Sequence, residues 1–127
     1  MNKKIISRLI DIAEGIELEK DINPRTRHYA FILNKSKIIS IGRNSLKTHP
    51  KVIKYGYNKN AGIHAELSAL IKSGTIFHSN NKIFTFRFDK SGSLNNGKPC
   101  IFCQKALRDV GMKEVWYSCE KGKINRL

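Results

Sequence analysis

Two short stretches constrain this chain more than anything else in it: His64-Ala65-Glu66 and Pro99-Cys100-Ile101-Phe102-Cys103, each at the head of an apolar helical pattern. One imidazole, two thiols and a carboxyl group are the set a zinc-water hydrolase requires: three protein ligands, an open fourth position and a proton carrier off the metal. A fold that uses them must bring the starts of two helices face to face. Cys100 and Cys103, i and i+3 in a first helical turn, put both sulfurs on one side, where the helix dipole and unpaired N–H groups favour thiolates. Pro99 suits such a start, because the N–H it lacks would have no partner there. Glu66 lies about 200° around an ideal helix from His64. The wheel alone therefore does not bring its carboxylate to the same site, and irregular geometry at the helix start is required.

The rest of the chain reads as alternating helices and strands. Residues 2–16 place Ile5, Ile6, Leu9, Ile10, Ile12, Ala13 and Ile16 three and four apart, an amphipathic helix ending at Gly15 or soon after. Glu17 to Arg27, with Asn23-Pro24, reads as a loop. Tyr29 to Leu33 and Ile38 to Ile41 form a hairpin. His64 to Ser73 is a short helix closed by Gly74, and Lys82 to Phe88 is a strand with an aromatic face of Phe84, Phe86 and Phe88. Asp89 to Gly92 turns the chain. Cys100 to Val110 forms the last helix, Glu114 to Cys119 the last full strand. Between Arg43 and Gly62 there is no clean periodicity, and so long a connection is functional by default or else a solvated flexible loop. It carries Asn44, His49, Pro50, Tyr55, Tyr57 and lysines 47, 51, 54 and 59, a mixture that stacks on bases and attracts phosphate.

At 127 residues the chain is read as one domain, 1–127, large enough to bury a core without staples. Three cysteines and no secretory signal point to a reduced, cytoplasmic setting, where paired cysteines more often bind metal than form disulfides. No apolar run approaches the roughly 20 residues that span a bilayer, so no membrane partner is expected. The net charge of +14 makes nucleic acid a possible partner. Against that, lysine outnumbers arginine 17 to 7, and 17 Ile and 11 Asn accompany it, a bias that AT-rich coding alone produces.

Other readings of the cysteines fare worse. A thioredoxin-like redox pair usually carries small residues or proline between its cysteines, not Ile101-Phe102. A closed structural zinc site needs a fourth donor, with Cys119, His28, His49 and His78 available.

The order His64-Ala65-Glu66, then Pro99-Cys100-x-x-Cys103, resembles the H-x-E…P-C-x-x-C signature of the zinc-dependent cytidine/deoxycytidylate deaminase superfamily. The resemblance implies a three-layer α/β/α fold with a mixed sheet of about five strands and helices on both faces. It implies zinc held by His64, Cys100 and Cys103, with Glu66 moving the proton from water to the ring nitrogen and the leaving amine. The Ala65 backbone corresponds to an N–H that contacts the base. Gly42-Arg43-Asn44 resembles the Gly-x-Asn that ends the second strand, making Asn44 a substrate contact. Two departures stand out. Asp89 to Lys98 is longer than in compact members, so its role does not carry over. Only eight residues follow Cys119, too few for a crossover helix and a parallel strand, so a turn at Lys121-Gly122-Lys123 with Ile124 to Leu127 returning antiparallel is expected. The expected reaction is cytosine to uracil with release of ammonia, on a free nucleoside or nucleotide. Editing of single-stranded DNA or RNA is the alternative, a non-catalytic zinc-containing binding module the second. Homo-oligomer formation is open.

Overall fold

In the computed structural model, residues 3–19, 27–44, 64–74 and 77–127 are described. The expected loop from Arg43 to Gly62 falls mostly outside them, including His49, Pro50, Tyr55, Tyr57 and the four lysines, as does Asn23-Pro24.

The alternation in β3 (Asn81–Phe88) decides the layering. Its Phe84, Phe86 and Phe88 join Tyr29, Phe31 and Leu33 of β1 (His28–Asn34) beneath Ile6, Leu9 and Ala13 of α1 (Lys3–Glu19). The opposite face carries Ile83 with Ala30 and Ile32, and Val115 of β5 (Glu114–Ser118), packed on α2 (Ala65–Ser73) and α3 (Ile101–Asp109). With apolar groups toward both layers, Tyr29 to Leu33 must be buried throughout, and all five residues are 0% exposed. The result is the three-layer α/β/α arrangement read from the sequence.

The sheet is mixed, with order β2-β1-β3-β5-β6. β1 pairs antiparallel with β2 (Lys37–Arg43) and with β3, β3 runs parallel to β5, and β5 pairs antiparallel with β6 (Ile124–Arg126). The closing β5–β6 hairpin is antiparallel, as expected. It turns through Glu120–Gly122, with Lys121 and Gly122 both at positive φ. Trp116 of β5 stacks on Phe84, and the Arg126 guanidinium lies over the indole, 5.6 Å from its centroid.

Three details differ from the sequence reading. α1 runs through Gly15 to Glu19, because Ile16 still reaches the aromatic cluster and that packing outweighs the roughly 1 kcal/mol cost of a mid-helix glycine. A bulge at Ile32/Leu33 sets Ile38 and Ile41 on the α1 face and leaves Ile39 exposed. The sheet of about five strands gains a short sixth, because Leu94–Asn95 forms a β4 pairing with Arg87 and Phe88 of β3. Periodicity cannot detect a strand of two residues.

Candidate active site

His64 and Cys100 occupy the same position in two helices. Each is the N-cap residue, with extended backbone (φ −77°, ψ 156° and φ −67°, ψ 168°), and neither side chain caps its own helix. Ser68 N and Gln104 N donate to their carbonyls, both at 2.9 Å, so the helices begin normally. A Ser, Thr, Asn or Asp cap is worth about 1 kcal/mol. Here that gain is absent, and the two side chains turn toward each other instead. His64 Nδ1 stands 3.6 Å from Cys100 Sγ and 3.6 Å from Cys103 Sγ. All three ligand atoms lie within 4.8 Å of one another.

The spacing is informative. A nitrogen and a sulfur bonded to one ion at about 2.05 and 2.3 Å, at a tetrahedral angle, stand about 3.6 Å apart. The cluster thus fits a zinc site, with Cys103 buried and the other two residues half-buried. It is the one such group of three among the described residues. Cys100 hydrogen-bonded to the imidazole, helped by the charges of Cys100 and Glu66, raises the His64 pKa above its ordinary value against the opposing effect of burial. A metal competes with the proton for that nitrogen.

Small residues and a polar clasp set this geometry. A Cβ on Gly42 of β2 would collide with the Ala65 carbonyl oxygen and the Ala69 nitrogen, and come within 2.9 Å of Ala69 Cα. Only glycine lets α2 lie on the strand at that depth. Ser40 Oγ locks the approach by donating to the Ala69 carbonyl at 2.8 Å. At the other helix the Asp89–Lys98 stretch has a visible role. Gly97 sits between β3 and β5, its N–H donating to the Ser118 carbonyl at 2.8 Å and its carbonyl accepting from Thr85 Oγ1 at 2.6 Å. Ser118 Oγ donates to the Asn95 carbonyl at 2.7 Å. This clasp delivers Pro99-Cys100 to the end of the sheet, next to His64.

Glu66 is 1% exposed, and neither carboxylate oxygen has a hydrogen-bond partner among the described residues. The 200° separation from His64 is no obstacle: His64 stands outside the helix in extended conformation, so the wheel of an unbroken helix does not apply. Ala65 is fully buried at the first helical position, where no preceding turn takes up its N–H. Asn44 is tied to the first strand in both directions: its Oδ1 accepts the His28 N–H at 3.1 Å, and its own N–H donates to the His28 carbonyl at 3.2 Å.

Of the spare metal donors, His78 is fully buried, its ring bonded to Ser73 Oγ at 3.2 Å and Asn81 Nδ2 at 3.0 Å, a structural role. Cys119 is a free thiol that belongs to no metal-ligating group among the described residues, and His49 lies outside them. His28 comes to the site in another capacity: its Nε2 is 3.4 Å from Glu66 Oε1. It also lines a cavity of about 370 Å³ with Arg27, Asn44 and Arg87. A larger cavity, about 600 Å³ beside Ile10, Leu94 and Glu120, includes none of these residues. No motif or spacing connects His28 with Glu66, because the contact joins a strand start to a helix through tertiary packing alone.

No protein-family model and no curated protein matches the sequence. Solved structures do match the fold. Over 94% of this chain and 84% of the other, it superposes on the dCMP deaminase of cyanophage S-TIM5, determined with dCMP and dUMP, at TM-score 0.63 and 20% identity. Cytidine deaminase of Burkholderia pseudomallei matches at TM-score 0.64 and 16% identity, over 100% of this chain and 92% of that one. Guanine deaminase of Bacillus subtilis gives TM-score 0.55 and 21% identity over 94% and 65%. The chain has the cytidine-deaminase-like α/β fold, and its His/Cys/Cys cluster is arranged as a zinc site requires.

Proposed function

We propose that residues 1–127 form one zinc-dependent deaminase domain, which hydrolyses the amino group of a cytosine base to give uracil and ammonia. One observation carries this reading. Two helix starts place an imidazole nitrogen and two sulfurs at zinc spacing, with a buried carboxylate, Glu66, in the same first turn but outside the ligand set. A purely structural zinc site has no use for that carboxylate.

His64 Nδ1, Cys100 Sγ and Cys103 Sγ would hold the ion. Zinc in such a three-residue set supplies Lewis acidity that makes water nucleophilic near neutral pH. Glu66 would accept a proton as water attacks the carbon bearing the amino group and pass it to the adjacent ring nitrogen; it would then carry the new hydroxyl's proton to the amine, so that the C–N bond breaks, ammonia leaves and the carbonyl of uracil forms. The Ala65 N–H would bond the base, and Asn44, whose Oδ1 accepts the His28 N–H and so fixes its amide, would contact base or sugar.

We assign the substrate as a free nucleoside or nucleotide and the setting as cytoplasmic; no described helix is long and apolar enough to cross a membrane. Editing of single-stranded nucleic acid is the second reading, favoured by the charge of +14 and by Ile101 and Phe102, 70% and 40% exposed beside Cys100. Ammonia release measured over cytidine, deoxycytidine, their monophosphates, guanine and a cytosine-containing oligonucleotide tests both. Turnover of the free compounds, with KM nearly independent of salt, is expected. Preference for the oligonucleotide, with affinity falling on a log–log salt slope of about −0.7 per phosphate neutralised, would establish the second reading. No ammonia from any of them would refute deamination.

A further inference from the structure

A carboxylate that is 99% removed from solvent needs something to hold it, and Glu66 has a single polar neighbour in contact among the described residues. His28 Nε2 lies 3.4 Å from Glu66 Oε1. Both atoms are buried, and neither has an aligned hydrogen-bond partner there. Leaving one buried polar atom unsatisfied typically costs about 1–3 kcal/mol, more for a charged group. Two such atoms facing each other at slightly more than bonding distance satisfy each other by a small rotation of either side chain.

The backbone beneath the ring is fixed. His28 is bonded to Asn44 through both its N–H and its carbonyl on one side, and paired with Arg87 of β3 on the other. Asn44, one residue beyond β2, thus lies in one row with His28 of β1 and Arg87 of β3. The ring stands between the buried carboxylate and the cavity lined by Asn44 and Arg87, with 19% of its side chain exposed. A histidine at the start of a strand and at the edge of a cavity would ordinarily turn to solvent; this one turns inward to the carboxylate.

We propose that His28 is a positioning residue for Glu66: its Nε2–H holds Oε1, which leaves Oε2 as the oxygen that handles the proton. The inference rests on the deaminase reading for its catalytic meaning, while the contact itself does not. Its consequence is a division of labour between the two carboxylate oxygens. Without the imidazole the carboxylate keeps its place on α2 but samples orientations in which neither oxygen is aligned, so chemistry slows while substrate binding does not.

The experiment uses the zinc-loaded full chain and the variants His28→Leu and His28→Gln. Misplacing a reacting group by about 1 Å costs up to roughly 100-fold. His28→Leu should therefore lower kcat between about 10- and 100-fold, with KM, zinc content and melting temperature nearly unchanged. His28→Gln, which restores an N–H donor of similar reach, should recover most of the loss. A kcat within twofold of wild type in His28→Leu, or a loss in Gln equal to that in Leu, would overturn the proposal. Should His28→Leu fail to fold, the Gln variant and a second readout decide. In a ¹⁵N-labelled sample the His28 ring should carry its proton on Nε2, with a resonance that moves in Glu66→Gln. A ring protonated on Nδ1 alone, or a resonance indifferent to Glu66→Gln, would also overturn it. That spectrum is read whether or not ammonia is released, so failure of the contact and failure of the deaminase reading are separable.

Discussion

The two faces of the sheet are built on opposite rules. Toward α1 the strands present Tyr29, Phe31, Phe84, Phe86 and Phe88, with rings in edge-to-face and stacked contact. Toward α2 and α3 they intersperse Gly42, Ala30, Ser40 and Thr85 among Ile32, Ile83 and Val115, and the helices answer with Ala65, Ala69 and Ala106 among their leucines. Large rings bury much area per residue and hold a helix at a distance; each fully buried side chain of this kind contributes about 1.5–3 kcal/mol. Small residues contribute less but let helix backbones settle on the strands, and that closeness brings two N-caps within a metal's reach of each other. One face is organised for stability, the other for placement.

Removing a ligand tests the placement face most severely. Cys103→Ala should abolish stoichiometric zinc binding and reduce ammonia release to background, with a lower melting temperature, since metal affinity is folding free energy in such sites. Elemental analysis of the purified variant reads the first effect directly. One zinc per chain in Cys103→Ala would detach the triad from the metal. Glu66→Gln should come next: zinc and fold retained, turnover down by roughly 10²–10⁴, the usual contribution of general acid–base catalysis. Retention of more than a tenth of the wild-type rate would remove Glu66 from the chemistry.

A pair of substitutions separates the faces. Leu9→Ala, at a fully buried position on α1, should cost about 2–5 kcal/mol in denaturant unfolding while the folded protein keeps its zinc and its kcat. Gly42→Ala should cost less stability, about 1–3 kcal/mol for overpacking. Its added methyl meets backbone atoms of α2, which cannot swing aside as a side chain would, so α2 must shift and His64 with it. Zinc affinity and kcat/KM should then fall together by at least about tenfold, since a displacement near 1 Å is costly. If Leu9→Ala harmed the metal site and Gly42→Ala spared it, the division between the faces would be wrong.

Sequence reading recovered the two faces unequally, for the same physical reason. Alternating aromatics announce themselves: Phe84, Phe86 and Phe88 fixed one face of β3, and the periodicity of Ile5 to Ile16 fixed the helix that covers it. The metal triad was legible because His64, Cys100 and Cys103 belong to chemically distinctive motifs. Alanines and glycines carry no periodic signal. The seating of α2 on Gly42 had no sequence signature beyond its place in Gly42-Arg43-Asn44. The clasp of Asn95, Gly97 and Ser118 joins residues more than twenty positions apart through one backbone pair and one serine hydroxyl on a backbone carbonyl, and neither leaves a local pattern. The His28–Glu66 contact depends on a strand register that no local pattern encodes.

The smallest expected effect is a pH dependence confined to the placement face. In the metal-free protein Cys100 holds the His64 pKa above its ordinary value near 6.5. A group whose folded pKa is raised stabilises the fold fully below its unfolded value, and that contribution disappears as pH rises through the folded one. The metal-free protein should therefore lose this increment between those two values. Zinc needs the neutral imidazole, so its affinity must rise across the same interval. Two opposed slopes follow: the melting temperature of protein treated with a chelator drifts down from pH 6.5 upward, while the increment added by zinc grows. The substitution His64→Asn removes the titrating ring and should flatten the first slope, with Leu9→Ala leaving it intact at a lower melting temperature. A chelated protein whose melting temperature rises through that interval would show that His64 is not held protonated by Cys100, and that the two N-caps do not interact until the metal joins them.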